Sequence, residues 1–205
     1  GKNKKVAAEF VKVDWNTTTS AFAKESREKG ATMARVEDGH WDPSNPNVFY
    51  FVTTESNKDP IATAPNPATP TVTRDGGALW RLTFKDAQNP AAGAELEMLL
   101  NGGESVYMSK PDNITVTENG KYILIQEDPG NNAHLARIVS YRISDGKVGT
   151  IAQFKADYFT EGGSAFITRD EESSGIVEIS NELRTSKTDK ASYYMFAAQV
   201  HATPA

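Results

Sequence analysis

Apolar and polar residues alternate with a period near two over much of the chain, the spacing of half-buried β-strands. The clearest case runs from Lys110 to Ile143. Ile114 to Thr117 is apolar and β-branched, Glu118-Asn119-Gly120 is a turn, and Lys121 to Gln126 is a second run ending in Glu127-Asp128. Two strands joined through Asn-Gly make a hairpin. After Pro129-Gly130-Asn131-Asn132, Arg137 to Ile143 alternates as a third strand, and Ser144-Asp145-Gly146-Lys147 turns into a fourth at Val148 to Phe154. This predicts a four-stranded antiparallel meander, the unit of a β-propeller blade. Antiparallel neighbours run in opposite directions, so the start of one strand and the end of the next share one end of the sheet. Asp112 and Asn113 precede the first strand and Glu127 and Asp128 follow the second, which puts their side-chain oxygens at one rim.

The rest of the chain has the same character. Val6 to Trp15 alternates through Val11, Val13 and Trp15 as a strand does, and Ser20 is placed to cap a helix from Ala21 to Lys29 that Gly30 stops. Ala34 to Asn47 is rich in turn residues, and Val48 to Thr54 is a strong strand. Glu55 to Gly77 is Pro, Ala, Thr, Asn and Asp with little apolar content, which predicts a long exposed loop. Leu79 to Phe84 and Glu95 to Leu100 form a further pair around a Lys85 to Gly93 turn. Beyond the meander come a polar link from Asp157 to Arg169, the acidic string Asp170-Glu171-Glu172-Ser173-Ser174-Gly175, a strand from Ile176 to Ile179, and a last strand from Tyr193 to Val200. Strands are regularly spaced and helices nearly absent. The expected fold is all-β, built of antiparallel four-stranded meanders in a propeller-like arrangement, as a partial propeller or one part of a ring.

Length and charge narrow the possibilities. With 205 residues the chain suits one domain, residues 1–205, better than two. A net charge of −5, with no basic cluster beyond Lys2 to Lys5, argues against a nucleic-acid or membrane partner. There are no cysteines, so neither a disulfide framework nor a thiolate metal site is available. No apolar run is long enough for a membrane helix and no signal peptide is visible, which fits a cytoplasmic chain or an already trimmed exported one.

The strings RVEDGHWDPSNPNVFYFVTT, GALWRLTF, KPDNITVTENGKYILIQEDPG, RIVSYRI, DEESSGIVEI and the terminal AAQVHA, in that order over residues 31–202, resemble the bacterial family of PhoX-like alkaline phosphatases, also catalogued as a domain of unknown function with predicted β-propeller repeats. The resemblance implies a periplasmic or secreted propeller whose central metals, calcium with iron in one branch, hydrolyse phosphate monoesters. It covers the later part of the family sequence. Blades that close a ring are then expected from a missing N-terminal half or from another copy of the chain.

Carried over string by string, the resemblance makes Glu37 and Glu172 acidic ligands with catalytic roles and Asp112 a calcium ligand, with Asn113, Glu127 and Asp128 beside it. Hard divalent cations take about six to eight oxygens, which carboxylates from several loops can supply together. That branch uses a cysteine as an iron ligand, and this chain has none, so calcium is the expected metal and iron is in doubt. Arg35 is a candidate for a phosphate oxygen through bidentate hydrogen bonds. Each residue also has a plainer reading. Glu37-Asp38 fits a solvated turn, Arg35 fits an ion pair with either, Asp112-Asn113 fits a turn start, and Glu127-Asp128 before Pro-Gly is an ordinary loop. Like charges in Asp170-Glu171-Glu172 repel and favour a bound cation, although a surface run is the alternative. His40, His134 and His201 lack zinc spacing and are expected to be exposed.

Three functional classes follow. One is a metal-dependent phosphoesterase acting on a phosphate ester or other small anion, weakly active or inactive in this segment alone. Another is a calcium-binding structural or interaction domain without turnover. The third is a module that must pair with its missing half or a second copy.

Overall fold

The computed structural model describes residues 2–54, 65–66, 69–73, 77–130 and 134–201. In chain order these form β1 (Lys5–Ala8), α1 (Thr19–Lys29), β2 (Val36–Trp41), β3 (Val48–Thr53), β4 (Pro65–Asn66), β5 (Thr69–Thr73), β6 (Ala78–Phe84), β7 (Ala94–Leu100), β8 (Pro111–Val116), β9 (Tyr122–Glu127), β10 (Arg137–Arg142), β11 (Val148–Gln153), α2 (Ala156–Phe159), β12 (Glu171–Glu178), α3 (Ser180–Leu183) and β13 (Tyr194–Val200). A first sheet of five strands has the order β1-β7-β6-β3-β2, a second of four has β11-β10-β9-β8, and a third pairs β12 with β13. Every pairing is antiparallel. The fold is all-β, and among the described residues no sheet closes on itself.

The period-two pattern sets how the sheets stack. In β3, Tyr50 and Val52 face the second sheet and meet Leu79, Leu100, Met108, Ile114, Ile123 and Ile125 in the main core. Their neighbour Phe51 faces the other way and packs with Ala78 and Trp80, with Phe49 and Met33 against them. β9 is buried on both faces, because Ile123 and Ile125 enter the main core while Leu124 packs with Ile138 and Ile176 on the side of the third sheet. A strand apolar at successive positions is therefore a central layer here, with cores on both sides. Edge strands of these three sheets are neighbours: β2 packs against β8, and β8 against β12.

Several boundaries differ from the sequence expectation, each for a visible reason. The strand expected over Val6–Trp15 ends at Ala8, and Val11 and Trp15 beyond it are exposed, so their alternation has no second layer to bury against. The helix is capped by the hydroxyl of Thr18, which accepts from the Ala21 N–H at 3.3 Å, and Ser20 lies inside it. The turn-rich string 34–47 holds β2, whose Glu, Asp, Gly and His conceal a strand from any hydrophobicity pattern. The last-but-one strand begins at Glu171, so the acidic string is the first half of β12 and not a loop. Of the expected loop Glu55–Gly77, β4, β5 and Gly77 are described, and the remainder lies outside the described residues. The Asn-Gly turn forms as expected. Gly120 takes φ +64°, a left-handed conformation a side chain resists, and its N–H donates to the Thr117 carbonyl at 2.7 Å.

Candidate functional site

Three acidic side chains hold the same place in three neighbouring strands. Glu37 is the second residue of β2, Asp112 of β8 and Glu172 of β12. The third residues stitch these strands together. Asp38 accepts from the Gly39 N–H at 2.8 Å through Oδ1 and from the Ile114 N–H of β8 at 3.1 Å through Oδ2. Asn113 accepts from the Gly175 N–H of β12 at 2.6 Å and donates through Nδ2 to Asp112 Oδ2 at 3.1 Å. The Thr54 hydroxyl lies 2.9 Å from Glu37 Oε1 and 3.2 Å from the Pro111 carbonyl, and its single proton serves one at a time. These bonds fix the strand ends against each other, so the side chains between them are held in place by backbone.

The electrostatics confirm that the acids share one neighbourhood. Asp112 is pushed above the usual carboxylate range by burial first, then by the charges of Glu37 and Asp128, with Arg35 opposing. Glu172 is raised to about 7 by burial first, then by the charge of Asp128 and a hydrogen bond to it, with His201 opposing. Like charges held together disfavour ionisation, and a carboxylate near 7 shares a proton at neutral pH. Gln199 of β13 donates to Glu172 Oε1 and, at 2.8 Å, to Ser174 Oγ. Arg35 lies 3.3 Å from Glu37 Oε1 with its side chain more than half exposed, so the ion pair is weak and the guanidinium remains accessible. Arg35 and Lys110 take φ +50° and +46°, left-handed backbone that non-glycine residues adopt at a cost, and both flank this rim.

Glu127 is not brought to the rim. Its side chain is fully buried, and both oxygens are taken. Oε1 accepts from Ser109 N–H at 2.8 Å and Arg137 Nη2 at 2.7 Å, while Oε2 accepts from Arg137 Nε at 2.9 Å and Arg137 N–H at 3.1 Å. With Glu127 turned inward, its neighbour Asp128 is left on the side of Asp112 and Glu172. Asn113 is likewise committed to the stitch. His134 is not exposed: it lies 3.4 Å from Glu127 Oε2, edge-on to Tyr107. His201 is about half exposed and 3.5 Å from Asp170 Oδ2. The residues sequence reasoning missed are Asp38 and Gln199 as supports. Laying VED, PDN and EES side by side as strand starts would have shown the shared position.

Among the described residues no three His, Asp or Glu side chains stand as a ready cation-binding set. In kind, however, the donors fit a hard divalent ion: they are carboxylate oxygens whose mutual repulsion a cation would relieve.

The family model for alkaline phosphatase PhoX matches residues 5–184. The chain belongs to the PhoX alkaline phosphatase family. That match takes in β1 through β12 and with them Glu37, Asp112, Asp128 and Glu172, while β13 with Gln199 lies beyond it. The PhoX family is one of metal-dependent phosphatases. No curated protein and no solved structure gives a match. No helix among the described residues is long and apolar enough to cross a membrane.

Proposed function

We propose that this chain supplies cation- and phosphate-binding groups of a PhoX-type phosphoesterase, with the three sheets as consecutive blades of a propeller and β2, β8 and β12 as its innermost strands. The observation that carries this reading is the shared second position of Glu37, Asp112 and Glu172 on three packed strands. Together with Asp128 they would hold calcium, which when bound neutralises phosphate charge and polarises its oxygens. Iron is disfavoured by the absence of cysteine. Arg35 orients a phosphate ester by hydrogen bonding a peripheral oxygen. Glu172, raised to about 7 in the metal-free site, gives up its proton as the cation binds, because the ligating form is the carboxylate. Asp38, Asn113 and Gln199 keep these groups in position. Further blades, from a longer chain or a second copy, complete the ring, and the protein works in the periplasm or outside the cell. This segment alone turns over weakly or not at all, since phosphoryl transfer needs every positioning group at once.

The test is titration of calcium and then inorganic phosphate, followed by calorimetry, into the wild type and the variants Glu37→Gln and Glu172→Gln. Calcium binding, phosphate binding that depends on calcium, and loss of both in the variants are expected. Calcium without phosphate would favour a structural calcium-binding domain, and neither would overturn the reading.

A further inference from the structure

The outer edge of a sheet offers unpaired N–H and C=O groups to any strand that meets it, and proteins guard such edges with a charge, a proline or a bulge. β1 starts with Lys5, β2 carries Glu37 and Asp38, β8 starts with Pro111, β11 is bulged at Ile151, and β12 starts with Glu171 and Glu172. β13 has neither charge nor proline, and the bulge in its pairing with β12 falls on β12. The His201 N–H donates to the Asp170 carbonyl at 2.9 Å, and the Tyr193 carbonyl accepts from the Ile179 N–H at 2.8 Å. Backbone groups alternate sides along a strand, so odd-numbered residues of β13 pair with β12, while Phe196, Ala198 and Val200 turn theirs to the open edge. Beside that edge a groove of about 140 Å³ runs between β13 and β11, lined by Ile138, Phe154, Phe196 and Ala198.

The same chain carries a strand pattern without a sheet. Residues 10–15 follow β1 and belong to no strand, yet they alternate, with Val11, Val13 and Trp15 at one parity and Lys12 and Asp14 at the other. Val11 is exposed and Trp15 is 82 % exposed, so that apolar face is uncovered at its largest residue. The segment lies on the first sheet, where the Phe10 ring stacks on Phe84 at 5.3 Å, and the second sheet separates it from β13 within one copy. We propose that residues 10–15 of one copy add as a strand to β13 of a second copy, with backbone bonds at Ala198 and its edge neighbours and with Val11, Val13 and Trp15 over the groove. The contact is head-to-tail. Each copy keeps one segment and one edge for further partners, so it builds a ring or a chain and does not close as a twofold dimer. One strand is a smaller interface than the roughly 1,200–2,000 Å² of stable complexes, which makes the association reversible. It uses none of the rim carboxylates and stands or falls apart from the phosphatase reading.

Sedimentation velocity of the wild type across the micromolar range should show growth beyond the monomer as concentration rises. Trp15→Asp removes the anchor of the segment. Ala198→Pro removes an edge N–H that β12 does not use, a position where an edge strand tolerates proline. Each variant alone should self-associate about tenfold more weakly or less, with circular dichroism and melting temperature unchanged; Ala198→Lys, a charge at the edge, takes its place should the proline variant not fold. Because each variant keeps the half that the other lacks, an equal mixture should give a heterodimer and nothing larger. A wild type that stays monomeric, a folded variant that associates as the wild type does, or a mixture of folded variants that stays monomeric would overturn the proposal.

Discussion

Glu127→Gln separates two roles for one residue. As a rim ligand, Glu127 would matter little to the metal-free fold and much to calcium. As the partner of Arg137, it should do the reverse. The structure gives five donors converging on it: Ser109 N–H, Arg137 N–H, Nε and Nη2, and His134 Nε2. Gln keeps the shape and one carbonyl oxygen, but its NH₂ meets donors with a donor. The charge that offsets the buried guanidinium is also lost. Breaking a buried pair from one side costs about 3–5 kcal/mol, a large part of the roughly 5–15 kcal/mol that holds a typical domain together. Arg137 keeps its bond to the Tyr107 carbonyl at 2.6 Å and its place over the Tyr107 ring, which draws the estimate toward the lower end. Urea unfolding in chelator, followed by fluorescence, should therefore show Glu127→Gln about 3 kcal/mol less stable than wild type. The double variant Glu127→Leu/Arg137→Met removes both charges and should recover only part of that, because the Ser109 and Arg137 N–H groups still lose their acceptor. A loss under about 1 kcal/mol, or a calcium affinity that collapses while the metal-free stability is kept, would refute the assignment of Glu127 to the core.

Three further outcomes follow. Calcium should raise the melting temperature of the wild type, by about 2.7 kcal/mol of stability at a hundredfold excess over Kd, and differential scanning fluorimetry should show that gain abolished in Glu172→Gln. Without calcium, stability should fall as pH rises from about 4.5 to about 7: Glu172 is raised in the folded state, so its proton is held there and lost from the unfolded chain first, and Glu172→Gln should flatten that slope in unfolding curves measured across the range. Asn113→Ala should cost about 0.5–1.5 kcal/mol, the net worth of its bond to the exposed Gly175 N–H, and should weaken calcium binding measured by calorimetry, because Asn113 Nδ2 also holds Asp112.

The meander 110–154 was legible because its strands are apolar on at least one face and its turns carry Asn-Gly and Asp-Gly. β2 and the first half of β12 were not. Their residues are Val-Glu-Asp-Gly-His-Trp and Glu-Glu-Ser-Ser, and what makes them strands is pairing to β3 and β13 plus packing against β8, all long-range. The acids themselves could be picked out one string at a time, but composition reads Glu127 and Asp128 alike. Only the parity of β9, which sends Ile123, Ile125 and Glu127 to one side, separates the buried one from the one near the rim. The sequence pattern puts the helix cap at Ser20, and only the hydrogen bond from the Ala21 N–H shows that Thr18 is the cap.

The irregularity in the β12–β13 register lies between Ser174 and Val177, at Gly175 with φ +64°. Side chains of a strand change sides with each residue, so one residue inserted or deleted between Glu171 and Ser174 would turn Glu172 into the interior and put Ser173 or Glu171 at the rim. The bulge marks where such a change can be absorbed: length differences placed at or after Gly175 leave the acid facing its neighbours on β2 and β8. The Gly175 N–H is gripped by Asn113. A residue that sequence alone nominated to hold a metal thus works as a ratchet pawl, fixing which of two adjacent side chains the third sheet shows to the outside.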